Sequence, residues 1–542
     1  MGKLEDLARL KFTDPPLSEA EERVVRAASD GTEAKCIDLG GGSDPEKADT
    51  WPASRNVRAD LIRWLCVDRE AREQVDPRGI QILGARITGA LDLSFTNVPF
   101  SFALFRCRLE QDLDLKWAKM PLLNLNGSWT GAIGADGLKL EGSLFLRNGF
   151  HAEGGVRLPS ATIGGNLDAE GGRFKNSNGY ALNADGIKVT GTVFLRNGFS
   201  AEGTVRLLGA TIGGDLTARG GTFKNSIGNA LSADGINVHG NVFLRDKFVA
   251  EGEVRLPGAE ITGRLEVDDA WLDALNLDSA QITGTFFWRN IHKDSNPDFP
   301  NKEWKPSLDL TNAIVGALAD EEASWPEKGR LILDGFVYDR ITDGPTDAKT
   351  RLEWLRRQPD ELGFRPQPYE QLIAVLQRMG HEHQVAEVAI AKQKDLYKHG
   401  DLGWWGKFRS WILYLAVGYR YEPWRAFLGM AILVLLGTLV FSVARWPSVR
   451  VMVPSDQEAY ESDQTVKTPL PYYYPRFHAS VYSLDVISPF DLGQKSHWRL
   501  SEKWHCDSLY WIFEVYSLIQ LFAGWMLLLV AAAVPAGFIK TD

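Results

Sequence analysis

The sequence predicts a mainly β fold, a right-handed β-solenoid, because two nested periods run through its middle. The triplet Ala-Asp-Gly at residues 135–137 returns at 184–186 and at 233–235, so the long period is 49 residues both times. Inside it a shorter unit recurs: an apolar residue, a glycine two positions later and another apolar residue two beyond that. Its first positions are Leu140, Ile163, Val189, Ile212, Val238, Ile261 and Ile282. Periods of about 20 to 50 residues indicate coils that are stable only when stacked on their neighbours.

Each short unit predicts one β-strand, because successive side chains of a strand leave opposite faces. No window here shows the i, i+3, i+4, i+7 spacing of a helical repeat. The side chains expected inside the coil include Ile163, Leu167, Ile212, Leu216, Ile261 and Leu265. Weaker copies of the unit occur at residues 85–93 and 314–318, so the solenoid domain is predicted over residues 80–345.

Residues 1–79 are predicted to form a helical N-terminal cap. Ser18 has the character of an N-cap residue, and Glu21 three positions later completes a capping-box pattern. Because the end of a solenoid is an unpaired strand edge, we expect these helices to cover it. The three glycines at residues 40–42 lack the partners of a phosphate-binding motif and indicate a flexible loop.

Residues 346–403 are predicted to form a helical adaptor, a hairpin broken at Gly380. Tyr369, Leu372 and Leu376 have the spacing of one packed face, so the expected role is to join the solenoid to a membrane segment, with partner binding as the alternative. His381 and His383 are two positions apart and would point apart on a helix, which favours solvated turn residues over a metal site.

Residues 404–542 are predicted to hold an interfacial helix and two transmembrane helices joined by an extracytoplasmic loop. Residues 426–444 are uncharged over about the length that spans a bilayer, and a second span is expected at about residues 516–539. Aromatic and basic residues near the ends of the predicted helices fit membrane anchors. These anchors are Trp404, Trp405, Trp411, Trp424, Arg425 and Trp446.

The charges that flank the spans predict the orientation. The first ten residues lack the apolar stretch of a signal peptide. Lys and Arg residues are more frequent before the first span than after it, which places both termini in the cytoplasm. We therefore expect a multi-pass protein of the inner membrane with a cytoplasmic N-terminal domain, and an extracytoplasmic loop over about residues 446–509.

Four polar residues in the membrane segment are candidate pore or intramembrane groups: Asp485, Asp491, Glu514 and Gln520. Polar groups at this depth are costly and normally face a bundle or water. Glu514 is expected near the headgroups, whereas Gln520 is a candidate for a hydrogen bond between helices. A span, a short half-helix, a Pro/Gly loop and a second span follow the layout of two-helix cation channels, yet residues 489–493 lack the T-V-G-Y-G filter. An interfacial hairpin is therefore the first expectation and a pore the alternative.

Several short segments carry a resemblance to a family: Ile-Arg-Trp-Leu at 62–65, Gly-Phe-Val-Tyr at 335–338, the run at 366–372 and Gly-Tyr-Arg-Tyr-Glu-Pro-Trp-Arg at 418–425. The chain resembles the bacterial pentapeptide-repeat-like β-helix proteins with a C-terminal membrane segment, some of which carry the label membrane-associated oxidoreductase. It departs from strict pentapeptide repeats because its coils have 23 or 26 residues. The resemblance implies a β-helix attached to a membrane.

Composition narrows the function classes. A net charge of −10 and a pI near 5.6 argue against nucleic-acid binding, and membrane attachment disfavours a DNA mimic. Neither a C-x-x-C pair nor a dinucleotide motif is present, so no cofactor, metal ligand or catalytic residue is predicted, and an oxidoreductase is the weakest of the alternatives. The predicted function is a membrane-anchored scaffold or sensor whose partners are the bilayer and a second copy or another protein.

Overall fold

The computed structural model describes residues 2–400, 403–404, 424–464, 470–501 and 508–533. The chain forms two compact units, Met1–Val388 and Ala389–Asp542. The predicted fold class is confirmed: the first unit is a parallel β-solenoid of about 11 turns preceded by helices, and the second contains two long apolar helices. The hand of the coil stays a prediction.

The solenoid is one sheet of 35 strands in which neighbouring turns pair in parallel. In chain order β1 to β35 are Ala34–Lys35, Asn56–Arg58, Ile80–Leu83, Arg86–Thr88, Leu91–Asp92, Phe102–Phe105, Arg108–Leu109, Leu113–Asp114, Lys119–Met120, Leu123–Asn124, Trp129–Thr130, Ile133–Gly134, Lys139–Leu140, Leu144–Phe145, His151–Glu153, Val156–Arg157, Thr162–Ile163, Leu167–Asp168, Arg173–Asn183, Lys188–Val189, Val193–Phe194, Ser200–Arg206, Thr211–Ile212, Leu216–Thr217, Thr222–Ser232, Asn237–Val238, Val242–Arg255, Glu260–Ile261, Leu265–Asn276, Gln281–Ile291, Ser307–Asp309, Ile314–Asp320, Leu331–Ile332, Val337–Tyr338 and Ile341–Asp343.

The register of the turns follows the short repeat. The seven predicted first positions pair one above the next, from Leu140 on Ile163 to Ile261 on Ile282. The six side chains predicted to lie inside are at most 1% exposed. One prediction was wrong: the next residue in this stack is Val315, not Ile314, which is half exposed. The register shifts between Ile282 and Thr285, where β32 has one residue fewer than the segment of β30 that it pairs with.

A column of five phenylalanines fills part of the interior. Phe150, Phe174, Phe199, Phe223 and Phe248 are at most 1% exposed, and the centroids of adjacent rings lie 5.2–5.5 Å apart. Tilted ring pairs at this spacing contribute about 0.5–1.5 kcal/mol beyond the area that they bury. The column therefore couples successive turns through their interior as well as through their strands.

The N-terminal stretch consists of helices that pack at the first turns. They are α1 (Lys3–Lys11), α2 (Glu19–Asp30), α3 (Ala59–Val67) and α4 (Arg69–Arg72). The predicted capping box of α2 is confirmed, with Ser18 and Glu21 bonded reciprocally. This stretch also supplies β1 and β2, which pair with β3 and β4.

The loop at Gly40–Gly42 differs from the flexible loop that the sequence predicts. Its three carbonyl oxygens accept hydrogen bonds of 2.8–3.0 Å from Nη1 of Arg55. Arg55 is fully buried and also donates to the carbonyl of Gly84 and stacks on Trp51. A buried guanidinium thus holds the glycine loop against the first turns.

Three helices follow the last turn: α5 (Ala348–Leu355), α6 (Gln367–Arg378) and α7 (Glu382–His399). Gly380 lies between α6 and α7 with φ +80°, a conformation that favours glycine, and so the predicted break between two helices is confirmed. Arg351 of α5 makes a fully buried bidentate ion pair with Asp320 of β32, at 2.6 and 2.8 Å. This pair fastens α5 to the end of the solenoid.

The second unit holds α8 (Trp424–Ala444), α9 (Gln457–Gln464), α10 (Ala479–Ile487) and α11 (Ser508–Ala533), with the antiparallel strands β36 (Met452–Pro454) and β37 (Trp498–Leu500) between them. Two segments are long and apolar enough to span a membrane, Trp424–Ala444 and Tyr510–Leu529. The second begins six residues earlier than the sequence predicts, because Tyr510–Val515 continue the helix.

Candidate functional site

The outer surface of the solenoid carries regular ion pairs that tie one turn to the next. An Asp–Arg pair recurs with the long repeat, at Asp136–Arg157, Asp185–Arg206 and Asp234–Arg255, with N–O distances of 2.7–2.9 Å. Other outward charges also contact a neighbouring turn: Arg147 bonds Asp168, and Glu153 contacts Lys175. Solvated pairs of this kind contribute little stability singly.

Three described cysteines lie inside the N-terminal part of the first unit. Cys36, Cys66 and Cys107 are free and fully buried. Burial raises the pKa of their thiols to about 11, 12 and 12, respectively. Because the thiolate is the reactive form, this burial disfavours reaction of the three thiols at neutral pH.

One of the four polar candidates, Gln520, lies where the short helix α10 packs between α8 and α11. Ser483 of α10 donates from Oγ to the carbonyl of Val434, the middle residue of α8, over 3.0 Å. Gln520 of α11 donates from Nε2 to Oγ of Ser483 over 2.8 Å. Both polar side chains are fully buried. One short helix therefore contacts both long helices near their midpoints.

Two glycines, one on each long helix, make room for α10. A Cβ on Gly437 of α8 would lie 2.2 Å from Oγ of Ser483, and one on Gly524 of α11 would lie 2.4 Å from Cγ2 of Ile487. Small residues let membrane helices approach closely enough for such contacts. The last residue of α10 thus reaches the level of Gly524, about 6 Å along α11 beyond Gln520. α10 therefore packs alongside the middle of both long helices, and the interfacial hairpin stays a prediction.

The chain leaves α10 in a loop, Ser488–Lys495, that is organised by Asp485. Pro489 disfavours helical backbone at the preceding residue, so the helix ends at Ile487. The fully buried carboxylate of Asp485 accepts backbone N–H bonds from Leu492, Gln494 and Lys495 at 2.8–2.9 Å. Three such donors satisfy most of its acceptor capacity and hold the loop folded back on α10.

The far side of this loop is exposed. Phe490 is 76% and Leu492 45% exposed, and the carboxylate of Asp491, also exposed, accepts the N–H of Gly493 at 2.7 Å. Gly493 has φ +87°, a turn conformation that favours glycine. Lys495 extends back, with Nζ 3.7 Å from Oδ1 of Asp485. The loop therefore presents one carboxylate and two large apolar side chains outward.

The loop returns to the end of the unit where α8 stops and α11 starts. The side chain of Gln494 accepts from the N–H of His478 and donates to the carbonyl of Arg476. Aromatic residues form the core there. They are Phe441, Tyr474, Tyr482, Trp498, Tyr510 and Phe513.

The remaining predicted residues lie at the ends of the long helices. Trp424 and Arg425 begin α8, Trp446 follows its end, and both tryptophans are more than half exposed, as is Trp404. Glu514 is half-buried, about 6 Å from the start of the second apolar segment. Trp405 and Trp411 lie outside the described residues.

Four residues of this arrangement were not predicted from the sequence: Ser483, Gly437, Gly524 and Lys495. A signal was present for the glycines, since each interrupts a long apolar segment at a position where no turn is needed. Ser483 and Lys495 carry no such signal, because their roles depend on which helices pack together.

Within the described residues, no group of three or more His, Cys, Asp or Glu side chains could hold a metal ion. Comparison of the chain with protein-family models, with curated proteins and with solved structures gives no match.

Proposed function

We propose that this chain is a membrane-anchored scaffold or sensor, with its β-solenoid on the cytoplasmic side and a two-span hairpin in the inner membrane. The observation that carries the proposal is the exposed side of the two apolar helices. Large apolar side chains such as Leu435 and Leu439 on α8 and Phe522 and Leu529 on α11 are 65–72% exposed. Helix surfaces that expose several large apolar side chains are rare on soluble monomers and match the lipid-facing side of spanning helices.

The form of the solenoid supports a role in assembly. Its interior is filled by apolar columns, and its outer charges are arranged in repeated pairs. Stacked turns give an extended, regular surface, which repeat proteins use to bind partners. We therefore expect the solenoid to act by binding a second copy or another protein.

Membrane extraction and thiol labelling test attachment and orientation. The protein should stay in the membrane fraction after alkaline carbonate washing. In a Cys506→Ser background, Gln457→Cys in the exposed start of α9 should react with an impermeant maleimide in intact cells. Ile227→Cys, at a solenoid position that is 93% exposed, is the matched control and should react only after lysis. Release by carbonate would contradict attachment, and the reverse labelling pattern would contradict the orientation.

A second candidate function is an ion-conducting pore, and the half-helix α10 is the observation that favours it. A short helix that ends beyond the midpoint of two apolar helices, followed by a loop at the same depth, is tolerated in a membrane only when protein or water surrounds the loop. Current through planar bilayers, recorded from detergent-purified oligomers, distinguishes the two functions. If intact oligomers carried no current, the pore would be excluded and the scaffold would be the function that is left.

A further inference from the structure

The loop Ser488–Gly493 lies deep between the ends of the two apolar helices. It follows Ile487, the last residue of α10, which contacts Gly524 of α11. Two further contacts show which residue of α8 lies opposite Gly524: a Cβ on Gly429 would lie 3.3 Å from Leu527, and one on Gly437 would meet Gln520. Because the two helices are antiparallel and rise equally per residue, Gly524 lies opposite about Ile432. If α8 and α11 span the bilayer, as proposed above, the loop lies within its hydrocarbon region.

The polar groups of this loop cannot face lipid. Among the described residues, none donates a hydrogen bond to the carbonyl oxygens of Pro489, Phe490 and Asp491. Asp491 is exposed, and within the described part of the chain the N–H of Gly493 is the one hydrogen-bond partner of its carboxylate. Unpaired backbone groups and charges at this depth occur only inside protein or beside water.

We propose that the loop Ser488–Gly493 faces further copies of this chain across a water-filled passage, with Asp491 lining the passage and attracting cations. The proposal rests on the membrane attachment proposed above. Among the described residues of the second unit, none covers the outer side of the loop, and a further copy of this chain can supply residues that enclose it. Its apolar side chains, Phe490 and Leu492, would contact the neighbouring copy.

A second copy fits this position better than an unrelated protein, because a carboxylate facing an apolar partner would be left without water. Copies arranged about an axis place the same loop in each chain toward one centre, as closed homo-oligomers do. A ring of identical carboxylates then lines water, which is how acidic rings favour cations in channels. The helix that precedes the loop, α10, also has exposed apolar side chains: Val481 is 37% and Leu484 is 48% exposed.

Two cysteine experiments on the full chain test the proposal in vesicles of phosphatidylcholine and phosphatidylglycerol, in the Cys506→Ser background. Asp491→Cys should react with a positively charged methanethiosulfonate at least about tenfold faster than Ile432→Cys, because a thiol in water ionises and one in lipid does not. Ile432 is the matched control, because it lies at about the level of Gly524, which Ile487 contacts just before the loop, and is 48% exposed on α8. Phe490→Cys should form a disulfide-linked dimer on oxidation, and Ile432→Cys should not.

Each other outcome overturns a stated part of the proposal. Equal reaction rates at the two positions would show that Asp491 faces no water. A cross-link without reaction would indicate a dry contact between copies, and reaction without a cross-link would indicate that something other than a second copy encloses the loop. Carbonate release of the protein is a separate result, which would contradict membrane attachment itself.

Discussion

Gln520 donates two hydrogen bonds from Nε2 to Ser483, one to its Oγ over 2.8 Å and one to its carbonyl over 3.0 Å. Both side chains are fully buried, and Oε1 of Gln520 has no hydrogen-bond partner among the described residues. The amide therefore fastens the half-helix α10 to α11 inside a single chain. This contact assigns Gln520 to the packing of its own helices, and we propose no pore-lining role for it.

Replacing Gln520 by Leu should destabilise the protein in detergent by about 0.6–2 kcal/mol, the range found for hydrogen bonds between membrane helices. Ser483→Ala should cost a similar amount, and the double variant should cost less than the sum because both changes remove the same contact. Thermal unfolding followed by tryptophan fluorescence measures the effect. Ile519→Val, at a neighbouring exposed position, is the control. A stable Gln520→Leu variant would show that the amide contributes nothing to packing.

Phe199→Ala should destabilise the solenoid by about 3–5 kcal/mol, the usual cost of removing a buried phenylalanine. Phe199 is fully buried and lies 5.2 Å from each of the rings of Phe174 and Phe223, so its loss leaves a cavity between two turns. Denaturant unfolding followed by circular dichroism measures the change. Ile227→Ala, on the exposed surface, should stay within about 0.5 kcal/mol of the parent. Equal costs at both sites would contradict the interior column.

The solenoid was predictable because its local pattern and its tertiary packing have the same period. Each coil packs on its copy, so the spacing from Leu140 to Ile282 specifies both the strand and its register. The prediction failed at Ile314, because the paired strands shift by one residue there and alternation alone does not reveal the shift. The role of the buried Arg55 was not predicted either, because its partners are backbone carbonyls and these carry no signal in the sequence.

The short helix α10 was predictable from the sequence, but its position between the two long helices was not. Hydropathy identifies α8 and α11, and Pro489 explains where α10 ends. Whether α10 lies at the surface or between the helices depends on Gly437 and Gly524, which matter only once the three helices are packed. The three backbone bonds to Asp485 depend on the loop conformation in the same way.

The native thiols should resist alkylation until the protein unfolds. Burial raises the pKa of Cys66 and Cys107 from 9.0 to about 12, so the thiolate is scarce below that pH, and reactivity grows only as the pH approaches the raised pKa. In the Cys506→Ser background, iodoacetamide labelling should stay near zero between about pH 7 and 9 and appear along the denaturant transition. Mass spectrometry of the alkylated peptides measures it. Rapid labelling of Cys66 in the folded protein would show that it is accessible.

Neutralising Asp491 should weaken the preference of the proposed passage for cations. Asp491 is exposed in the loop that follows Ile487, the residue that contacts Gly524, so in an assembly each copy adds one negative charge beside the water that ions cross. Asp491→Asn should move the reversal potential in a potassium chloride gradient toward zero, while Asp491→Glu should retain the parent value. Planar-bilayer recording measures both, and size-exclusion chromatography with light scattering verifies that the variants form the same oligomer.

Comparing Asp485→Asn with Asp491→Asn distinguishes a carboxylate that holds the loop in shape from one that lines the proposed passage. Asp485 is fully buried beneath the loop and bonds three backbone N–H groups, so an amide there would lose acceptors and place its own N–H group against donors. We expect this variant to lose about 1–3 kcal/mol of stability, whereas Asp491→Asn should be nearly as stable as the parent. If Asp491→Asn lost stability and left selectivity unchanged, the carboxylate of Asp491 would be a structural group and not part of a conducting path.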